Sequence, residues 1–356
     1  MDRQKVIFTD KVCGALSEET ALLAPDRVFV LVDETTRKYC LPCLCATAGM
    51  ILPDETNVIT IPAGDLHKDC RSLGHVWECL QQRGATRHSL LINLGGGMVT
   101  DLGGFAAATF KRGLHCINIP TTLLAMVDAS VGGKTGINFG GLKNEVGVFR
   151  NAAAVLIDTA FLATLDRENL LSGYAEMLKH GLIASTEMLC ELLSFDITQF
   201  NAADDMLRRM LESSVGVKQR IVAEDPTEKG LRKALNLGHT VGHAFESLAM
   251  RHGRPVLHGY AVAWGLVAEL YLSVLKAGFP VSVLRQVSSF VAEYYGRMDI
   301  SCDDYAELIE LMTHDKKNTS GNINFSLLSD VGQLMLNQVA TRKEIEESLD
   351  FYRDGQ

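Results

Sequence analysis

The stretch LLINLGGGMVTDLGG, residues 90–104, decides the fold. Its first five residues form an apolar run of strand length. That run passes directly into Gly95, Gly96 and Gly97, and a helical pattern follows over residues 101–111. A strand feeding through glycines into a helix start brings unpaired N–H groups and a partial positive charge to one point. That point suits a phosphate group, and the unit belongs in a parallel α/β sheet. The spacing is not G-x-G-x-x-G, so a tight strand-to-helix turn with no ligand also accounts for these residues.

Three more β-rich runs lie nearby, at residues 27–32, 57–61 and 114–119, with a helical pattern over 68–83. Strands separated by helices predict a parallel sheet covered on both faces. Asp33 closes the first run, where a ribose hydroxyl could be met, and Asp65 and Lys68 follow the second. Acids in such places also serve as helix caps. Beyond about residue 158 the texture is helical, over 170–184, 203–223, 235–249, 261–275, 281–295 and 303–317, with a short hairpin near 323–328. The expected organisation is an α/β, Rossmann-like domain over 1–160 and an all-α domain, helical but for that hairpin, over 161–356.

The chain has 356 residues, which favours two domains. Its 47% hydrophobic and 22% charged residues exclude a disordered scaffold. A net charge of −9 argues against a nucleic-acid binder but leaves room for a local cationic cluster around a small anion. No uninterrupted apolar run has the length of a membrane span; the best candidate, 259–275, is broken by Glu269 and Tyr271. No apolar run follows the first basic residues, so a cytoplasmic protein with reduced thiols is expected from its nine cysteines. Cys40, Cys43 and Cys45 lack a second pair to complete a zinc site.

Three further segments carry chemistry. In residues 120–138 the tetrapeptide Gly132-Gly133-Lys134-Thr135 resembles the end of a phosphate-binding loop. Asp128 stands where its upstream glycine belongs and no strand leads in, so a nucleotide triphosphatase is rejected. What remains is a segment presenting Lys134, Lys143 and Asn144, either to an anion or to solvent. Glu176, Lys179 and His180 share one helix face, as an ordinary ion pair or as part of a site. His239 and His243 share another face, and His258 opens the next helix. Thr240 replaces the glutamate of H-E-x-x-H, which disfavours a metalloprotease. Glu176 with two of these histidines would make a three-ligand metal site with an open position; histidines packed without metal are the alternative.

The segments GGGMVTDLGGF, FKRG, IPTTLLAMVDASVGGKTGIN, KN, GYAEMLKHGL, EDPTEKGLRKALNLGHTVGHAFE, LHGYAVAWG and HDKKN occur in this order over residues 90–320. Together they resemble the dehydroquinate synthase family of sugar-phosphate cyclases. The resemblance implies NAD in the first domain and a divalent metal, zinc or cobalt, in the second. The implied metal ligands are Glu176, His239 and His258. The implied cofactor contacts are Asp33, Asp65, Lys68, Gly95, Gly96, Gly97, Asp101, Thr121, Thr122, Lys134 and Lys143. Substrate contacts carry onto Asp128, Lys134, Asn144, Lys179, Lys218, Arg232, Asn236 and His243, with one of Lys316 and Lys317. Arg232 and Lys218 would face a carboxylate. Lys134, Asn144, Asn236 and His243 would face a phosphate, with Arg112 reaching across a homodimer interface.

The implied substrate, 3-deoxy-D-arabino-heptulosonate 7-phosphate, carries both groups. The implied activity is a shikimate-pathway lyase that serves aromatic amino-acid biosynthesis, with no nucleic-acid or membrane partner. The substrate's own phosphate can take the proton, which fits many cationic anchors and few evident bases. A cyclase for glucose 6-phosphate or sedoheptulose 7-phosphate is the runner-up; there Arg232 and Lys218 would lack their carboxylate. Three residues depart from the family pattern: Tyr260 where a glutamate is usual, His180 where tyrosine is common, and Leu142 where glycine is usual.

Overall fold

The structure, a computed structural model, describes residues 4–48, 55–140, 142–199, 205–313 and 323–355. Lys316 and Lys317 lie outside the described residues. The chain begins with β1 (Val6–Phe8), α1 (Val12–Leu23), β2 (Val28–Asp33), α2 (Glu34–Tyr39), α3 (Leu41–Ala48), β3 (Val58–Ile61) and α4 (Cys70–Gln82). There follow β4 (Leu90–Gly95), α5 (Gly97–Thr109), β5 (His115–Pro120), β6 (Lys134–Phe139), β7 (Leu142–Phe149) and β8 (Ala154–Ile157). Next come α6 (Arg167–Ala184), α7 (Thr186–Ser194), α8 (Asp205–Glu224), α9 (His239–Arg251) and α10 (His258–Ala277). The chain closes with α11 (Val281–Tyr295), α12 (Tyr305–Thr313), β9 (Asn324–Asp330), β10 (Gln333–Val339) and α13 (Arg342–Asp354). It divides into two compact units: Met1–Asp166 with Phe200–Gln219, and Arg167–Gln199 with Arg220–Gln356.

The first unit is built on a six-stranded sheet in the order β1-β8-β5-β4-β2-β3, every neighbour parallel. Phe29, Val30, Leu31 and Val32 are all fully buried. Side chains alternate between faces along a strand, so both faces are covered, as the apolar runs predict. Phe29 and Leu31 pack with Ile59, Ile61 and Leu91 against Val76 and Leu80 of α4 and Leu102 and Ala106 of α5. The chain leaves β2 toward β3 on one side and returns to β4 on the other. The carboxyl ends of β2 and β4 therefore flank the point where strand order reverses, where ligands bind in open parallel sheets.

The cationic segment after Gly133 is not a loop. Residues 134–149 form an antiparallel hairpin in which Lys134 pairs with Phe149 and Gly136 with Gly147. A Cβ at Gly147 would stand 2.2 Å from the Thr135 carbonyl oxygen, so the strands approach as only glycine allows. Those glycines dilute the period-2 pattern, which hid the strands. The short β1 and β8 and the C-terminal α13 also escape the sequence pattern.

The second unit is helical apart from the β9–β10 hairpin. The helix expected over 235–249 is instead a 3-10 turn, Leu231–Asn236, followed by α9. Gly238 separates them with φ +78°, a left-handed conformation that ends one and opens the other. α9 lies against α10 at glycine distance: a Cβ on Gly265 would meet the Gly238 carbonyl oxygen at 2.0 Å. The fully buried Glu269 of α10 accepts the Gly238 N–H at 2.7 Å and the Val241 N–H at 3.0 Å. It caps α9 from a neighbouring helix. α10 is long and apolar enough to cross a bilayer, yet 67% of its most apolar window is buried within the protein, as in a core helix.

Candidate metal and cofactor sites

In the first unit, Gly95–Gly97 sit where β4 becomes α5. A Cβ on Gly95 would lie 2.6 Å from Val99, and one on Gly96 3.1 Å from Thr122. Gly96 caps α5 without a side-chain hydrogen bond, so the first N–H groups of α5 are offered outward. Thr121 donates its N–H to Gly95 at 3.0 Å, and the Thr122 hydroxyl accepts from Ala125 at 3.1 Å. Asp33, at the end of the adjacent β2, accepts the Thr36 N–H at 2.7 Å and caps α2. The capping use of this acid, open in the sequence, is therefore realised.

Asp65, Lys68, Asp101, Lys143 and Asn144 come together. Lys68 is 4% exposed and reaches both Asp101 and, at 2.5 Å, the Asn144 side-chain oxygen. Lys143 pairs with Asp65 at 3.1 Å, and Asn138 donates its N–H to the Lys68 carbonyl at 2.7 Å. Burial alone raises the Asp101 carboxyl, and its net shift stays upward despite Lys68. For Asp65, burial also raises the carboxyl, but Lys143 and Lys68 outweigh it and lower it. Lys218 reaches the Asp128 carboxylate at 2.5 Å and the Asp128 carbonyl at 2.6 Å. Lys134 opens β6 as an exposed residue. Arg112 is exposed with φ +68°, next to Lys111 at +47°; such backbone in consecutive non-glycine residues is strained.

In the second unit, Glu176, Lys179, His239, His243 and His258 converge. Glu176 and Lys179 are one helical turn apart on α6, both fully buried, and form an ion pair. The Glu176 Oε1 atom lies 3.4 Å from His239 Nε2 and 3.4 Å from His258 Nε2. That oxygen is buried and makes no hydrogen bond. Ligands about 2.0–2.1 Å from a tetrahedral metal stand roughly 3.3 Å apart. Both distances match edges of one such coordination sphere.

His239, His243 and His258 form an overlapping set whose ligand nitrogens lie within 4.8 Å of one another. Glu176, His239 and His258 fit better, because an anionic oxygen is orphaned among them and both distances match a coordination edge. Each of these histidines also has a partner at its other nitrogen. His239 Nδ1 is 3.1 Å from the Leu237 carbonyl, and His258 Nδ1 is 3.4 Å from Glu246 Oε2. Donation from Nδ1–H leaves Nε2 as the ligand atom.

Burial alone would raise the Glu176 carboxyl, but Lys179 and the imidazoles hold it well below the usual range. Burial and Lys179 push His239 down to about 3. Packing alone would lower His258 as well; Glu176 and Glu246 outweigh it and raise it to about 10. The contrast follows from one carboxylate and an ammonium around His239 against two carboxylates around His258.

Arg232 is 1% exposed and donates to the Pro226 carbonyl at 2.7 Å. Its N–H, with those of Lys229 and Gly230, is gathered by the Asp225 carboxylate. Asn236 donates to Glu228 at 2.9 Å, and Glu228 has φ +62°. His180, the departure beside Lys179, is fully buried. Sequence reading missed Asp225, Glu228, Glu246 and Glu269. The seven-residue step from His239 to Glu246, which keeps one helix face, was the available signal.

Residues 58–172 match the 3-dehydroquinate synthase N-terminal family, and residues 173–318 the 3-dehydroquinate synthase C-terminal family. A 3-dehydroquinate synthase of Parabacteroides distasonis is 52% identical over 355 residues, 100% of this chain and 99% of the relative. One from Pyrococcus furiosus is 37% identical over 94% of this chain and 95% of the relative. Among solved structures, 2-epi-5-epi-valiolone synthase from Streptomyces hygroscopicus, with NAD+ and Zn2+ bound, superposes with a TM-score of 0.86 at 26% identity. That alignment covers 99% of this chain and 97% of the other.

Proposed function

This chain belongs to the 3-dehydroquinate synthase family, and from that premise we propose that it converts 3-deoxy-D-arabino-heptulosonate 7-phosphate into 3-dehydroquinate and phosphate. It is a carbon–oxygen lyase without net redox change. The substrate is oxidised at one hydroxyl, loses phosphate by β-elimination, is reduced again, and closes by an intramolecular aldol step. When bound, NAD supplies a reversible hydride acceptor and the divalent ion supplies Lewis acidity. The carrying observation is the orphaned Glu176 Oε1, 3.4 Å from both histidine Nε2 atoms, in a chain so similar to known synthases.

In this reading Glu176, His239 and His258 hold the metal. Lys179 fixes the second Glu176 oxygen so that Oε1 keeps its direction. Gly95–Gly97 and the start of α5 receive the cofactor pyrophosphate. Asp33, Asp65, Lys68, Asp101, Thr121, Thr122, Lys134 and Lys143 line that cofactor. Lys134, Asn144 and Lys218, with Asp128 orienting Lys218, serve anionic and hydroxyl groups of the substrate in the first unit. Arg232, Asn236 and His243 do so in the second. These residues bind and orient by fixed charge, which lowers the barrier without a large set of protein bases. We also propose a homodimer to which Arg112 contributes. Phe139, Leu142 and Phe149 on the hairpin are 56%, 52% and 41% exposed, an apolar surface suited to a second copy.

The test is phosphate release from the heptulosonate phosphate with NAD, beside glucose 6-phosphate and sedoheptulose 7-phosphate. Release from the heptulosonate alone, with no lasting NADH absorbance, is expected. Release only from another sugar phosphate would keep the fold family and replace the substrate.

A further inference from the structure

α9 carries His239, His243 and Glu246 at steps of four and three residues, so all three share one face. Glu246 is 4% exposed, and the proposed reaction gives it no part. Its Oε2 lies 3.4 Å from His258 Nδ1, on the side of the ring opposite the Nε2 atom that faces Glu176. We infer that Glu246 is the positioning residue of His258, fixing the ring orientation and tautomer that turn Nε2 toward the metal position.

His258 needs such support more than His239 does. The His239 side chain is 10% exposed, and its Nδ1 faces a main-chain carbonyl two residues away. His258 is the first residue of α10 and its side chain is 27% exposed; the Ser172 hydroxyl that accepts the Gly259 N–H at 3.1 Å holds the backbone there and not the ring. The more exposed ring depends more on its hydrogen-bond partner for orientation, and the buried Glu246 on the adjacent helix supplies that partner. The negative charge of Glu246 also offsets the charge that remains when a divalent ion meets the single carboxylate of Glu176. Carboxylates in this position typically change metal affinity by about 10–100-fold.

The inference rests on the metal reading, and the experiment separates the two. Chelator-stripped parent, Glu246→Ala, Glu246→Gln and His258→Ala are titrated with zinc against a chromogenic chelator. Each is also loaded with cobalt and its visible absorption recorded. Glu246→Ala is expected to bind zinc about 10–100-fold more weakly, with a shifted cobalt band. Glu246→Gln, whose amide oxygen still accepts the Nδ1–H, is expected to recover part of that loss. Thermal unfolding of the stripped proteins checks that they share a fold. If Glu246→Ala does not fold, Glu246→Gln decides: weakened zinc binding supports the inference, and parent affinity with a parent cobalt spectrum overturns it. A parent that binds no zinc overturns the metal reading itself. A parent that binds, a His258→Ala that does not, and Glu246 variants like the parent would overturn the role of Glu246 alone.

Discussion

Arg232 combines two demands. It is a fully buried cation tied to the Pro226 carbonyl, and it is proposed to meet the substrate carboxylate. Arg232→Ala is therefore expected to lower kcat/KM by about 10–100-fold, the cost of one charge-assisted interaction, while the NAD dissociation constant stays unchanged. Equal losses for substrate and NAD would refute the assignment. The loop that presents Arg232 is held by Asp225. Burial alone would raise that carboxyl, but its backbone N–H partners lower it below 3.8. A folded pKa below the unfolded one contributes stability above the unfolded value and loses it as pH falls through the folded value. Asp225→Asn should thus melt below the parent at neutral pH, with the gap narrowing once pH drops below about 3.8. A gap that widens with acid would contradict this.

α9 and α10 set the geometry of the histidines through glycine contacts. In Gly265→Ala the new Cβ would stand 2.0 Å from the Gly238 carbonyl oxygen and 2.6 Å from the Gly242 nitrogen. Both atoms are backbone, so the helices must separate, at a cost of about 1–3 kcal/mol or more. A lower Tm together with weaker zinc binding is expected; parent-like values for both would refute the packing argument. The histidines themselves were readable because helix periodicity places His239 and His243 on one face, and the parallel strands because buried runs such as 27–32 are continuous. Glu269 was not readable: in sequence it interrupts an apolar helix, whereas its partners are main-chain N–H groups of Gly238 and Val241 on another helix. The β6–β7 hairpin was hidden by Gly136 and Gly147, whose lack of side chains is what lets its strands approach. Lys68 and Lys218, read as contacts of cofactor and substrate, each rest on a protein carboxylate, and Lys179 makes the i,i+3 pair with Glu176 that its spacing allows. Such pairs join residues distant in sequence, or are, as for Glu176 and Lys179, indistinguishable from any i,i+3 pair.

Across the whole molecule, a chain with a net charge of −9 is proposed to capture a substrate with two anionic groups, a phosphate and a carboxylate. Its long-range field works against capture, so binding depends on local cations and on a metal ion. The decisive measurement is the rate of phosphate release from 3-deoxy-D-arabino-heptulosonate 7-phosphate as zinc is returned in steps to chelator-stripped protein with NAD present. No release is expected from the stripped protein, with a rate that rises with zinc and levels at about one ion per chain, and His239→Ala is expected to remain folded and inactive at every step. Full activity in the stripped protein, or in His239→Ala, would contradict this.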